Sequence, residues 1–312
     1  TNQAADMNAN AVDALGPGPV KYHGHHNNQL FIRYAQHMSD FEIDGGHLYA
    51  YVEGSFTDTD VVVQSFDEFN VNYEANTFTG STSITANTSM VLSNRNDYTG
   101  DTIINDGGTL TAYWEDGDPN LEGNPLGTST VYLNAGGQLN LRNNYEKVWG
   151  NDLVVSGDAD INVSHIDGGT PKSQHQTLGH LTIGSSLTFT SYGNRSIHWA
   201  DGITLLDPNG STFVDKIEHY PGDGIFADGL VDGAGKLVYD GLATRRVFQL
   251  NYANNTYSGG TDILDGVVEA NATASLGTGD VNIYGGQLLA HAVGAPGGVL
   301  ADRLPENLVG QH

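Results

Sequence analysis

No cysteine occurs among the 312 residues. That absence removes disulfides, thiolate metal sites and cysteine nucleophiles together; in a cytosolic protein it would be uninformative, whereas in an exported one it means that the fold is held by something other than crosslinks. Cations are scarce as well: 12 Lys and Arg face 37 Asp and Glu, a formal net charge of -25. They are scattered singly apart from Arg245 and Arg246. Nucleic acid needs clustered Lys and Arg, and an anionic membrane would repel such a chain. No run approaches the roughly 18 apolar residues of a membrane helix. Thr1–Leu15 has neither a basic start nor an apolar stretch, so it does not read as a signal peptide. Charged residues make up 16% and hydrophobic residues 38%. What fills the difference is Gly (41 residues), Asn, Thr and Ser, a composition for many short strands between tight turns rather than for helices.

The strands repeat. Asn76-Thr-Phe-Thr-Gly-Ser-Thr-Ser-Ile84 is followed by Asn96-Asp-Tyr-Thr-Gly-Asp-Thr-Ile-Ile104, and the pattern returns as Asn255-Thr-Tyr-Ser-Gly-Gly-Thr-Asp-Ile263. Asn76, Phe78, Gly80, Thr82 and Ile84 thus correspond to Asn96, Tyr98, Gly100, Thr102 and Ile104, and to Asn255, Tyr257, Gly259, Thr261 and Ile263. A second element follows the later copies, running from Leu126-Gly-Thr to Gly-Gly-Gln-Leu139 and from Leu276-Gly-Thr to Gly-Gly-Gln-Leu288. The earlier copy carries extra residues around Trp114 to Pro125. A period of about 20 residues, with short alternating strands divided by Gly or Asn, is the pattern of a coil in a parallel β-solenoid. One coil cannot bury its own inner face, so coils stack about 4.8 Å apart and like residues stand over like. Asn76 over Asn96 and Phe78 over Tyr98 are expected ladders, with Asn meeting backbone groups at a corner.

The two-part module at Asn255 to Leu288 resembles the passenger-associated strand repeat of autotransporter-type bacterial surface proteins. The resemblance extends over roughly residues 70 to 290, with Leu153–Ile161, Leu178–Gly184 and Gly233–Tyr239 similar to the coils between such repeats. It implies an all-β, right-handed, single-stranded parallel β-helix, exported and displayed extracellularly at the bacterial cell surface. The chain shows no C-terminal barrel pattern, and residues 1 to 70 match nothing in the repeat.

The expected organisation is an N-terminal arm or linker (1–20), atypical terminal coils or a cap (21–72), the β-helix (73–290) and a tail or linker (291–312). At about 20 to 25 residues per coil this gives about 12 to 14 coils. Three segments, 114–125, 165–180 and 215–228, are expected to project as loops, where function in solenoids tends to sit.

Candidate chemistry is sparse. Asp116, Asp118 and Asn120 place oxygen side chains at alternate positions, as a Ca²⁺ loop begins, but Leu121 stands where the turn glycine belongs. His23 and His25 lie at alternate positions of a strand and could share a metal on one face, with His37 or His47 as a distant third. A carbohydrate-active enzyme, lyase or hydrolase, would need a base over acidic residues or paired carboxylates; the best constellation is Lys216 with Asp215, Glu218, Asp223 and Asp228. Trp114, Tyr220, Asp223 and Asp228 are the candidate carbohydrate contacts. No catalytic residue is assigned. The leading reading is a non-catalytic exported structural protein or adhesin of the cell surface or matrix. It associates with itself head to tail or laterally, into filaments or a biofilm matrix, with surface glycans or other matrix proteins as further partners. No nucleic acid and no transmembrane segment are expected, and no cofactor beyond Ca²⁺ at acidic loops. The alternative is the carbohydrate-active β-helix enzyme.

Overall fold

The computed structural model describes residues 99–114, 124–165, 174–191, 195–216, 224–242 and 246–291, residues 14–16 and 18, and the strands between Met7 and Ser93. Every regular element among the described residues is a β-strand, and every strand pairing is parallel. The chain alternates between two sheets. One carries thirteen strands in succession; the other carries a path of thirteen, with Lys147–Val148 and Val231–Asp232 paired beside it. Each coil therefore contributes one strand to each sheet, and the described residues form thirteen levels of a parallel β-solenoid.

Alternation decides which side chains enter. In the strand Gln138–Asn143, Leu139, Leu141 and Asn143 are buried while Gln138, Asn140 and Arg142 are only partly covered. Parallel pairing in register then turns each inward position into a column. Leu110 stands beside Leu139, Leu139 beside Ile161, and Ile161 beside Phe189. In the opposite sheet Ile104 is followed by Leu133, Val155, Ile183 and Leu205. These columns meet in one continuous core running along the axis, which no single coil could close by itself.

The expected register holds where it is described. Thr82 pairs with Thr102 and Ile84 with Ile104, like residue against like. Asn76, Phe78, Asn96 and Tyr98 lie outside the described residues, but Asn255 shows what the motif's asparagine does. It is 3% exposed; its Oδ1 accepts the Val231 N–H at 2.9 Å and its Nδ2 donates to the Ser275 carbonyl at 2.7 Å. One amide thus ties three successive levels at a corner where backbone groups would otherwise be buried without partners. Tyr257, fully buried, holds its hydroxyl 2.7 Å from Thr261 Oγ1. The glycine of the second element sits directly on this corner. Gly277 has φ +69°, and a Cβ there would lie 2.5 Å from the Tyr257 carbonyl oxygen; Gly127 holds the same place in the other copy, with φ 64°.

Three expectations change. Residues 1–20 are not simply an arm, because Met7–Ala9 pairs with Gln29–Ile32 as a level of the same sheet. Residues 21–72, expected as atypical coils or a cap, supply strands to both sheets in the same parallel pattern, up to Glu68–Val71 beside Ser89–Ser93. Three or four extended residues suffice to join a parallel ladder, so the repeat consensus is not required. The expected projections are shorter than drawn: Trp114 ends the strand Thr109–Trp114, residues 174–180 lie in the strand Gln174–Ile183, and Asp215 and Gly224–Ala227 are in sheets. Their middle portions, and residues 292–312, lie outside the described residues.

Replacing Asn255 with Ala strips the partners from the Val231 N–H and the Ser275 carbonyl and should cost about 1–3 kcal/mol for each buried group left unsatisfied. Gly277→Ala should also destabilise, whereas Gly18→Ala, where an added Cβ meets nothing within 4 Å, should be close to neutral. Urea unfolding of the three variants against the parent measures the order.

Candidate functional site

The two longest strands, Gln174–Ile183 and Arg195–Leu205, lie side by side. His175 pairs with Ser196, Gln176 with Ile197 and Thr177 with His198, before a bulge between Leu178 and His180. Because successive residues point to opposite faces, this one pair of strands builds polar groups on both sides of its sheet.

The inner group is a polar seam inside the solenoid. Arg195, Asn143 and Gln176 are fully buried. Arg195 Nη1 donates to Asn143 Oδ1 at 2.7 Å and Nη2 to the Asn143 carbonyl at 2.6 Å. Asn143 Nδ2 and Trp149 Nε1 both donate to Gln176 Oε1, at 2.8 and 2.9 Å. At the edge of the seam His165 Nδ1 lies 2.8 Å from Arg195 Nη2. A guanidinium only donates, so Nδ1 must be the acceptor and the imidazole is neutral. Burial, with the adjacent Arg195 charge, pushes the His165 pKa below the usual histidine range.

The outer group is a histidine cluster. His198 Nδ1 is 2.6 Å from Asp228 Oδ2, and Asp228 Oδ1 accepts from Asn251 Nδ2, also at 2.6 Å. Burial acts to raise the Asp228 carboxyl, but the hydrogen bonds from His198 and Asn251 and the two nearby imidazoles outweigh it and hold the group below the ordinary carboxylate range. His198 stacks on Phe226, rings 4.2 Å apart and 6° from parallel. Its Nε2 faces His175 Nδ1 at 3.0 Å and Ser196 Oγ at 3.1 Å. Ser196, His198 and Asp228 have the connectivity of a hydrolytic triad. The serine, however, is 1% exposed and its Oγ is within hydrogen-bonding distance of both imidazoles, so a substrate carbonyl has no approach to it.

The carbohydrate candidates do not assemble. Trp114 is 5% exposed, with the Lys147 ammonium 3.8 Å from its ring centroid; a ring so covered offers no platform to a sugar, and this expectation is corrected. Asp215 is fully buried and accepts the Tyr239 hydroxyl at 3.1 Å. It ends a strand of the thirteen-stranded sheet, whereas Asp228 follows a strand of the other, so the two carboxylates do not face one cleft. Tyr220, Asp223, Asp116, Asp118, Asn120 and His25 lie outside the described residues; His23 is placed only as the last residue of the strand Val20–His23. Sequence reading missed His198 and the seam altogether, since only the stacking of neighbouring coils brings His175 to His198.

Two segments, residues 89–112 and 248–270, match the family model described as Passenger-associated-transport-repeat. The passenger-type repeats are real modules of this fold. Each match spans three consecutive strands: Ser89–Ser93, Thr102–Ile104 and most of Thr109–Trp114 in one, most of Val247–Leu250, Thr261–Asp265 and Val267–Ala270 in the other. Together with the parallel β-solenoid they are consistent with an autotransporter passenger, which places such a chain at the cell surface or outside it. No curated protein and no solved structure matches the chain. Among the described residues no helix is long and apolar enough to cross a membrane.

The lowered His165 pKa fixes the sign of one pH effect. The unfolded chain takes up this proton near pH 6.5 and the folded chain only lower, so the stability contributed by neutral His165 is full above about pH 6.5 and is lost as pH falls below it. Thermal unfolding followed between pH 8 and pH 5 should show a smaller loss for His165→Asn, whose amide oxygen can still accept from Arg195, than for the parent.

Proposed function

We propose that the chain is a non-catalytic structural passenger of the cell surface or extracellular matrix, an adhesin that acts through its length and its repeated lateral faces and associates with copies of itself. The observation that carries this reading is the placement of both passenger-type repeats inside a solenoid whose outward side chains form polar ladders from coil to coil. Asn134 Nδ2 donates to Asn105 Oδ1 at 2.8 Å, and Ser156 Oγ to Asn134 Oδ1 at 2.7 Å. Asn140 Nδ2 donates to Thr111 Oγ1 at 3.1 Å, and Asn162 Nδ2 to Asn140 Oδ1 at 2.9 Å. Such ladders present a regular amide and hydroxyl surface, suited to matrix proteins, surface glycans or another solenoid. A net charge of -25 keeps copies apart until it is screened or bridged by divalent cations.

The separation of Asp215 from Asp228 favours this reading over a glycan-cleaving enzyme, which needs its carboxylates on one cleft. Light scattering during a Ca²⁺ titration is the test. The mass should rise above the monomer with Ca²⁺ and return on chelation. A monomer throughout would leave self-association without support, and release of sugars from uronate or neutral polysaccharides by the intact chain would overturn the non-catalytic reading.

A further inference from the structure

The outer histidine cluster has a chemistry that a structural passenger does not require. Asp228, held by Asn251, fixes the proton of His198 on Nδ1 and leaves the Nε2 lone pair directed away from the carboxylate. This carboxylate–imidazole pairing is the arrangement by which proteins orient metal-binding histidines and raise their basicity. Phe226, stacked on the ring, fixes its plane.

Ahead of that lone pair stand two further donor atoms. His175 Nδ1 lies 3.0 Å from His198 Nε2, Ser196 Oγ lies 3.1 Å from His198 Nε2, and Ser196 Oγ is 2.6 Å from His175 Nδ1. The imidazole planes are 80° apart. An ion bound about 2.0–2.1 Å from each nitrogen would see two nitrogens 3.0 Å apart at close to a right angle, an angle open coordination spheres accept. Among the described residues no three His, Cys, Asp or Glu side chains form a metal group. The arrangement is therefore an open, two-imidazole one, with Asp228 in the orienting position.

We propose that His175 Nδ1 and His198 Nε2 bind a divalent transition ion, Zn²⁺, Cu²⁺ or Ni²⁺, on the outer face of the solenoid, with the Ser196 hydroxyl and solvent completing its coordination. Imidazole nitrogen selects these ions over Ca²⁺ and Mg²⁺, which take oxygen ligands. Coordination through Nδ1 requires the Nε2–H tautomer of His175, and that nitrogen lies 4.0 Å from the Glu146 carboxylate. The half-exposed His175 gives the ion access from solvent. This site is independent of self-association, and neither reading falls with the other.

Calorimetric titration of the full chain with ZnCl₂ in a non-coordinating buffer tests it, with the N-terminal histidines removed in a His23→Ala/His25→Ala/His26→Ala background. One equivalent should bind. His198→Ala and, as a milder change at an exposed side chain, His175→Gln should each abolish it or weaken it at least about tenfold. Asp228→Asn should weaken it by about tenfold, as loss of an orienting carboxylate does. With Cu²⁺, electron paramagnetic resonance should report two imidazole nitrogens. Circular dichroism confirms that each variant keeps its strands. Zn²⁺ affinity unchanged in both folded histidine variants, or a Cu²⁺ spectrum with a single imidazole, would overturn the assignment.

Discussion

A coil of this chain has no interior of its own. Its inward side chains, its strand N–H and C=O groups and its corner carbonyls are all completed by the coil before and the coil after. Leu139 is buried because Leu110 and Ile161 flank it. The Ser275 carbonyl is satisfied because Asn255 lies one level away. Stability in such an array is a sum of nearest-neighbour interfaces, and without a cysteine in the chain those interfaces replace crosslinks. Function inherits the same constraint: any outward site must be built from residues that adjacent coils bring into register, as His175, Ser196, His198 and Asp228 are.

The two repeat copies show how far this generality goes. The strand Thr102–Ile104, which closes the motif begun at Asn96, belongs to the fifteen-stranded sheet; Thr261–Asp265, which closes the same motif begun at Asn255, belongs to the thirteen-stranded one. The second element swaps with it, Val131–Leu133 lying in one sheet and Val281–Ile283 in the other. Both sheets offer the module the same thing, an apolar interior on one face, solvent on the other and a corner at each end. It therefore carries its register without being bound to a particular sheet.

Much of this could be read from the residues alone. The identical spacing of Asn76 and Asn96, Thr82 and Thr102, Ile84 and Ile104 sets the register of those two coils, and alternation gives the inward columns. What stayed hidden depends on offsets that the repeat does not set. Thr102 meets Val131 and Leu153 meets Leu181, both longer steps along the chain than that from Thr82 to Thr102; nothing in a single sequence fixes where those extra residues leave the sheet. For the same reason His198 had no visible partner, and nothing in the sequence marks Arg195 as one of the buried residues. Trp114 looked like part of a loop because its acidic neighbours mask the fact that it completes a strand.

The register of the stack is most directly measured by crosslinking, which the cysteine-free background makes unambiguous. Asn140 and Asn162 are outward neighbours on adjacent coils, paired residue for residue and joined by a 2.9 Å hydrogen bond. Cysteines at both positions should form a disulfide under mild oxidation, since facing residues of neighbouring parallel strands fall within the separation that bond allows. A pair shifted by one residue, Asn140→Cys with Val163→Cys, should not, because the second side chain points into the core. Efficient closure of the first pair and none of the second is the outcome expected of a parallel solenoid in this register. The reverse, or equal closure of both, would contradict it.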